Sequence, residues 1–156
     1  MITVIGIGEY AISTNILDRL KTFALASCVA VTAYCPLKQV AAMIHIALPA
    51  PASVGEWKKR PAYYAATGIP IMIGKLCSEY GCNMKELRIQ IYGGADSAAP
   101  DDVFNIGKKN IKAVCEILES LGLRISKEET GGRVCRTIEL DVATGEIKVW
   151  TQDITI

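Results

Sequence analysis

The sequence contains a single histidine, His45, so any chemistry that needs an imidazole must use it. His45 lies in an apolar, strand-like run, where alternation places it on one face with Met43 and Ala47. Cys28 follows Ser27 and begins another strand-like run. If the two strands are neighbours, thiol and imidazole form the nucleophile–base pair of cysteine hydrolases, in which the thiolate attacks a carbonyl. A half-buried structural histidine is the alternative.

The other cysteines stand at positions 35, 77, 82, 115 and 135, mostly within apolar runs. Buried cysteines of this kind are usually small core residues in a reducing compartment. Neither of the closest pairs has the spacing C-x₂-C, and one histidine is too few for the common zinc patterns. We therefore expect no structural metal and no disulfide framework.

The stretch from Gly6 to Ala11 matches G-x-G-x-x-A and follows an apolar strand. This is the outline of a dinucleotide-binding turn, where glycines let backbone N–H groups approach a pyrophosphate. The residues after it are poor helix formers, and no acidic residue occurs between Asp18 and Glu56 to hold a ribose. A tight turn between two strands explains the glycines as well, so we expect no cofactor.

Composition limits the class of protein. The chain has 156 residues, 51% of them hydrophobic, and a net charge of +1. This favours one globular domain over 1–156 and excludes a disordered chain. Scattered charge argues against a nucleic-acid or membrane-surface binder. No apolar stretch reaches the roughly 18 residues of a membrane span, and no basic segment precedes the first apolar run. We therefore expect a cytoplasmic protein without membrane insertion.

The elements that must position Cys28 and His45 are mostly strands. Alternation and turn signals predict strands at 2–5, 10–13, 28–34, 40–48, 87–92, 123–128, 133–141 and 146–151. Helical spacing predicts helices at 61–82, with a kink or late start because of Pro70, and at 105–121. Residues 15–21 resemble a loop or short helix, and 49–55 and 96–102 resemble loops. Strands and helices do not alternate strictly, which indicates an α+β fold.

Seven sequence blocks, in order along the chain, resemble the chemoreceptor glutamine deamidases of the CheD family. They are VIGIGEY (4–10), TFALASCVAV (22–31), MIHIALP (43–49), IYGGA (91–95), NIGKKN (105–110), TGGR (130–133) and TGEIKV (144–149). The resemblance implies a three-layer α/β/β arrangement with mixed sheets, like that of bacterial deamidating toxins. It implies hydrolysis of glutamine side-chain amides on chemoreceptor cytoplasmic helices, and in some members binding of a CheC-type phosphatase.

The family's catalytic residues fall on Cys28, His45 and Thr22, where Thr22 would orient the imidazole through its hydroxyl or its backbone. Ser27, Gly132 and Arg133 are candidates for oxyanion or substrate contacts. An activated Cys28 would react with iodoacetamide near neutral pH ahead of the other cysteines. A receptor- or phosphatase-binding module with little catalysis is the alternative function.

This chain departs from the family pattern just before the cysteine. It has Ala24 and Ala26 where the family commonly has glycine. Alanine takes a positive φ only at a cost, so the approach to Cys28 is altered if either position requires one. The loop around Trp57 carries three basic residues where a more polar, Gly-rich loop is expected, which bears on substrate preference.

Overall fold

The computed structural model describes residues 1–97 and 104–154, a range that leaves out most of the loop predicted at 96–102. Within it, nine strands alternate irregularly with three α-helices and two short 3₁₀ helices, Pro61–Tyr63 and Met84–Glu86. The strands are β1 (Ile2–Val4), β2 (Tyr10–Ser13), β3 (Arg19–Leu25), β4 (Val29–Cys35), β5 (Val40–Ile46), β6 (Arg88–Gly93), β7 (Ile125–Thr130), β8 (Val134–Asp141) and β9 (Ile147–Asp153). The helices are α1 (Val54–Lys59), α2 (Ala65–Ser78) and α3 (Ile106–Ser120).

The strands form two mixed sheets. One has five strands in the order β2-β5-β4-β6-β7, and the other has four in the order β1-β3-β8-β9. The pairs β1/β3 and β6/β7 are parallel, and the other strand pairs are antiparallel. This mixture is typical of an α+β protein and confirms the class expected from the sequence.

Strand β4 shows why the molecule has three layers. All seven of its residues are buried, so both of its faces are covered. Val29 and Val31 belong to a helix-side core shared with α2 and α3. Ala30 and Tyr34, which alternate with them, belong to an inter-sheet core shared with β3 and β8. The five-stranded sheet is therefore the middle layer, and the α/β/β arrangement is confirmed.

Helices α2 and α3 form for local reasons visible in the sequence. Asn105 accepts a hydrogen bond from the Lys108 N–H and caps α3, and Gly122 follows the helix at a φ of 73°. Helix α2 begins at Ala65, four residues later than its predicted start, and continues through Pro70. The start at Ala65 corresponds to the late start that Pro70 suggested.

Two local predictions were wrong. Residues 15–21 include the start of β3, a strand that the sequence pattern missed because its alternation is broken by a bulge between Thr22 and Leu25. Helix α1 begins at Val54, within the loop predicted at 49–55; Ser53 caps it, and none of its six residues is buried. Across the part of the chain that the structure describes, no helix is both long and apolar enough to cross a membrane.

Candidate active site

His45 and Thr22 meet between the two sheets. His45 lies on β5 in the middle layer, Thr22 lies on β3 in the outer sheet, and both are almost fully buried. The Thr22 hydroxyl oxygen is 2.6 Å from Nδ1 of His45 and 2.7 Å from the carbonyl oxygen of Ile5. Of the two contacts that the sequence left open, hydroxyl or backbone, the structure shows the Thr22 hydroxyl next to the imidazole.

These two distances fix the tautomer of His45. A carbonyl oxygen can only accept, so the single hydroxyl proton of Thr22 is donated to Ile5. The hydroxyl oxygen must then accept from Nδ1, which places the imidazole proton on that nitrogen. Nε2 is left as the basic nitrogen. It is buried and has no hydrogen-bond partner among residues 1–97 and 104–154.

The backbone of His45 is held by the turn between β1 and β2. The Gly8 N–H donates to the His45 carbonyl at 2.8 Å, and the His45 N–H donates to the Glu9 carbonyl at 3.0 Å. The Glu9 carboxylate in turn accepts from the Gly6 N–H at 2.7 Å. Strand β2 follows without a helix. The G-x-G motif is therefore a tight turn between strands, and it braces the histidine strand.

Cys28 precedes β4 and shares a face with His45. Ala30 pairs directly with His45 across the β4/β5 ladder, and extending this register one residue beyond its end at Val29 makes Cys28 the diagonal neighbour of His45. Such diagonal neighbours in antiparallel pairs lie about 7–8 Å apart between Cα atoms, within reach of longer side chains. Cys28 is partly exposed and packs against the inter-sheet core. The thiol and the imidazole thus lie at the same edge of that core.

Burial favours the neutral form of both groups. It raises the pKa of the Cys28 thiol and lowers the pKa of His45 to about 4. Near pH 7 the pair is therefore a thiol next to a neutral imidazole, not a thiolate next to an imidazolium. The sequence led us to expect an activated Cys28 that is alkylated ahead of the other cysteines near neutral pH. Such fast alkylation requires a resting thiolate, and the raised pKa of Cys28 does not favour one.

The segment before Cys28 is fixed by its carbonyl groups. The Ala26 carbonyl accepts from the Ala95 N–H at 2.7 Å, and the Cys28 carbonyl accepts from the Gly94 N–H at 2.8 Å. The Ser27 carbonyl accepts from the side-chain amide of Asn110 at 2.9 Å. Within the described ranges, the N–H groups of Ser27 and Cys28 donate no hydrogen bond. Three consecutive carbonyls are therefore occupied while two N–H groups stay available.

Gly93 allows the turn after β6 to approach this segment. Its φ is 110°, and a Cβ atom at this position would clash with the Cys28 carbonyl oxygen. Only glycine combines this backbone conformation with so close an approach. Arg136, which the sequence analysis did not single out, supports the same turn. Its guanidinium donates to the Gly93 carbonyl at 3.4 Å and to the Gly131 carbonyl at 3.0 Å, and it pairs with Glu129 at 3.2 Å.

A pocket of about 290 Å³ opens next to the Cys28 segment, and Ser27 is one of its lining residues. The carbonyl groups of Gly132 and Arg133 accept from the N–H groups of Asp96 and Ile154, which also line it. Gly132 and Arg133 therefore border the pocket through their backbones, and both residues are exposed. The structure brings Thr22 and His45 into contact and Ser27 beside Cys28, but places Gly132 and Arg133 farther out.

No group of histidine, cysteine or carboxylate side chains within the described ranges is arranged to hold a metal ion. The buried polar groups at the site are therefore a hydroxyl, an imidazole and an amide, which can orient groups and transfer protons. Together with a thiol, this set is suited to nucleophilic attack on a carbonyl.

Comparison with a solved structure concerns the fold alone. The crystal structure of the Bacillus licheniformis hypothetical protein YfiH is similar with a TM-score of 0.54 at 14% identity. The match covers 78% of this chain and 49% of that protein, so the chain spans about half the length of YfiH. The likeness supports the α+β assignment.

Sequence comparisons identify the family. A probable chemoreceptor glutamine deamidase CheD of Syntrophotalea carbinolica is 40% identical, covering 94% of this chain and 91% of the relative. The chemoreceptor glutamine deamidase CheD of Thermotoga maritima is 36% identical, covering 94% and 89%. Uncovered residues number about nine in each case, too few to leave Thr22, Cys28 or His45 outside the match. Residues 47–151 match the family model described as CheD chemotactic sensory transduction. The chain belongs to the CheD family.

Proposed function

We propose that this protein hydrolyses the side-chain amides of particular glutamines on chemoreceptors, giving glutamate and ammonia. Relatives covered over most of their length are named chemoreceptor glutamine deamidases. The observation that carries the proposal is the state of His45. Its Nδ1 is occupied by Thr22 and its basic Nε2 is unpartnered among the described residues, on the face that Cys28 shares.

The reaction begins with proton transfer. Because both groups are neutral at rest, Nε2 of His45 acts as a general base and removes the Cys28 proton as sulfur attacks the glutamine carboxamide carbon. The new C–S bond pushes the carbonyl π electrons onto oxygen, forming a tetrahedral oxyanion. The imidazolium that results is stabilised by donating its Nδ1 proton to the Thr22 hydroxyl.

The oxyanion needs hydrogen-bond donors that are not already engaged. The N–H groups of Cys28 and Ser27 meet this requirement, since neither donates within the described part of the chain. Backbone donors held in place before the reaction stabilise developing charge without reorganisation, and one such donor is worth about 3 kcal/mol of barrier in comparable enzymes. Ser27 contributes through its backbone in this scheme.

Collapse of the intermediate breaks the C–N bond. His45 returns its proton to the departing nitrogen, ammonia leaves, and Cys28 carries the glutamyl group as a thioester. A water molecule, deprotonated by His45, then attacks the thioester carbon and releases glutamate and the thiol. The sum is one amide and one water converted into one carboxylic acid and one ammonia.

The substrate side follows from the same proposal. The target glutamines would lie on the cytoplasmic helices of chemoreceptors, so the reaction would take place in the cytoplasm. A CheC-type phosphatase is the second partner, a role that the family resemblance suggests. The whole of 1–156 would act as one domain, a proposal supported by the two cores that share the middle sheet.

Peptide mass spectrometry tests the reaction. A receptor cytoplasmic fragment is incubated with the wild type, Cys28→Ala and Cys77→Ala. Cys77 is also partly exposed but lies on α2 and packs on the helix-side core, so its variant is a matched control. We expect glutamine-to-glutamate conversion with wild type and control, and none with Cys28→Ala.

His45→Ala should also abolish conversion while circular dichroism shows a folded protein. Absence of conversion across several receptors by a folded wild type would refute the proposal and favour the binding-module alternative.

A further inference from the structure

Asn110 is a buried polar residue to which the reaction scheme gives no role. It lies on α3 and has no exposed surface. Its side-chain nitrogen donates to the Ser27 carbonyl at 2.9 Å and to the Ala47 carbonyl at 3.0 Å. Because both partners can only accept, the amide NH₂ must face them, and its orientation is unambiguous. Its oxygen is buried without a partner among the described residues.

The two carbonyls belong to opposite strands of one pair. Ser27 precedes Cys28 and β4, and Ala47 follows β5 two residues after His45. The β4/β5 ladder ends at Val29 and Ile46, so beyond these residues no ladder pairing joins the two strands to each other. Asn110 joins the two segments at this point, although it lies 83 positions from Ser27 and 63 positions from Ala47 in the sequence.

Asn110 also sets the direction of the Cys28 N–H. The Ser27 carbonyl and the Cys28 N–H belong to the same peptide group, and the described chain contains no cis peptide. In a planar trans peptide the C=O and N–H point in opposite directions. The hydrogen bond from Asn110 to the Ser27 carbonyl therefore turns the Cys28 N–H away from α3.

We infer that Asn110 is a positioning residue that aims the Cys28 N–H at the developing oxyanion and ties the Cys28 segment to the His45 strand. The inference rests on the proposed deamidation. Burying the side-chain oxygen of Asn110 without a hydrogen-bond partner costs free energy. The side chain nevertheless takes this orientation, in which its NH₂ group donates to both segments. Loss of the two bonds would free the Ser27–Cys28 peptide to rotate.

The test uses Asn110→Leu, which keeps the side-chain size and removes both donors, and Asn110→Asp, which presents only acceptors. Val114→Ala is the matched control, because Val114 is equally buried one turn further along α3 and packs on the helix-side core. An oxyanion donor acts in the transition state, so we expect kcat to fall at least tenfold in both Asn110 variants with KM within threefold of wild type.

Amide hydrogen exchange gives a readout that needs no substrate. The N–H groups of Gly94 and Ala95 donate to the Cys28 and Ala26 carbonyls, so their exchange reports how firmly this segment is held. We expect it to accelerate at least tenfold in the folded Asn110 variants and to stay near wild type in Val114→Ala. Thermal melting checks that each variant is folded.

Three outcomes overturn the inference: unchanged exchange at Gly94 and Ala95, an unchanged kcat in the Asn110 variants, or an equal kcat loss in Val114→Ala. A wild type that converts no glutamine refutes the proposed function instead. In that case the exchange measurement still decides whether Asn110 holds the Cys28 segment.

Discussion

The hydroxyl of Thr22 lies 2.6 Å from Nδ1 of His45 while donating its own proton to the Ile5 carbonyl. The carbonyl of Ile5, the residue just after the short strand β1, thereby determines which nitrogen of a histidine in the other sheet is basic. The two residues belong to different sheets, so the packing of one sheet on the other sets which ring nitrogen of His45 carries the proton.

Replacing Thr22 by valine tests this relationship. Thr22→Val preserves shape and burial but removes the acceptor for the Nδ1 proton, so the imidazole loses its preference for the productive tautomer. We expect kcat to fall at least tenfold with the melting temperature within a few degrees of wild type. Thr22→Ser, which keeps the hydroxyl, should retain most of the activity. Equal activity in the valine and serine variants would contradict the tautomer argument.

Ala24 adopts a φ of 54° at the bulge in β3, a conformation that costs an alanine about 1–2 kcal/mol. Ala24→Gly should relieve that strain and, after the entropy cost of glycine, raise the free energy of unfolding by about 0.5–1 kcal/mol. Urea denaturation measures the change. Ala26 has no positive φ, so Ala26→Gly is the control and should not stabilise. A gain in the control and none at Ala24 would disprove the strain.

The stability of the protein should depend on the protonation of His45. Burial lowers the pKa of His45 from 6.5 to about 4. Between these values the unfolded chain binds a proton that the folded chain does not, so stability present above pH 6.5 is lost as the pH falls towards 4, by up to about 3 kcal/mol. The urea midpoint should therefore fall further between pH 7 and pH 4.5 for the wild type than for His45→Gln. Parallel losses would show that His45 does not contribute.

Cys28 should be alkylated slowly near neutral pH. Burial raises the pKa of its thiol, so the reactive thiolate forms at a higher pH than in an unfolded chain. Limiting iodoacetamide from pH 7 to 10, with peptide mass spectrometry, should show the Cys28 rate rising at higher pH in the folded protein than in urea. A folded-state rate already maximal at pH 7 would indicate a resting thiolate and refute the neutral pair.

Gly93→Ala should displace the Cys28 segment. The added Cβ would meet the Cys28 carbonyl oxygen, and alanine is strained at a φ of 110°. Gly122 also has a positive φ, of 73°, but a Cβ there would meet nothing within 4 Å, so Gly122→Ala isolates the backbone strain of about 1–2 kcal/mol. We expect Gly93→Ala to lose more stability and most of the activity, measured by denaturation and by kcat. Similar losses in both variants would mean that contact with Cys28 does not matter.

Much of the fold could be predicted from periodicity, because β4 and β5 are continuous apolar runs and α3 has a clear apolar face. Strand β3 could not, since its bulge breaks the alternation and its partners β1 and β8 are set by tertiary pairing. The Cys–His pair was a weak expectation from spacing and became specific through the family resemblance. The position of Asn110 between two carbonyls has no local sequence signal, because its partners lie far away in the chain.

The residues that meet at the site are far apart in the sequence, and this separation affects how the site forms during folding. Thr22 meets His45 across 23 positions, and Asn110 meets Ser27 across 83. Each such contact costs more loop-closure entropy than the local β4/β5 hairpin does, and contacts of this kind slow folding. The β4/β5 hairpin alone brings the thiol and its base together, but Thr22 and Asn110 reach them only when the outer sheet and α3 dock, so the pair lacks its supports until the layers have packed.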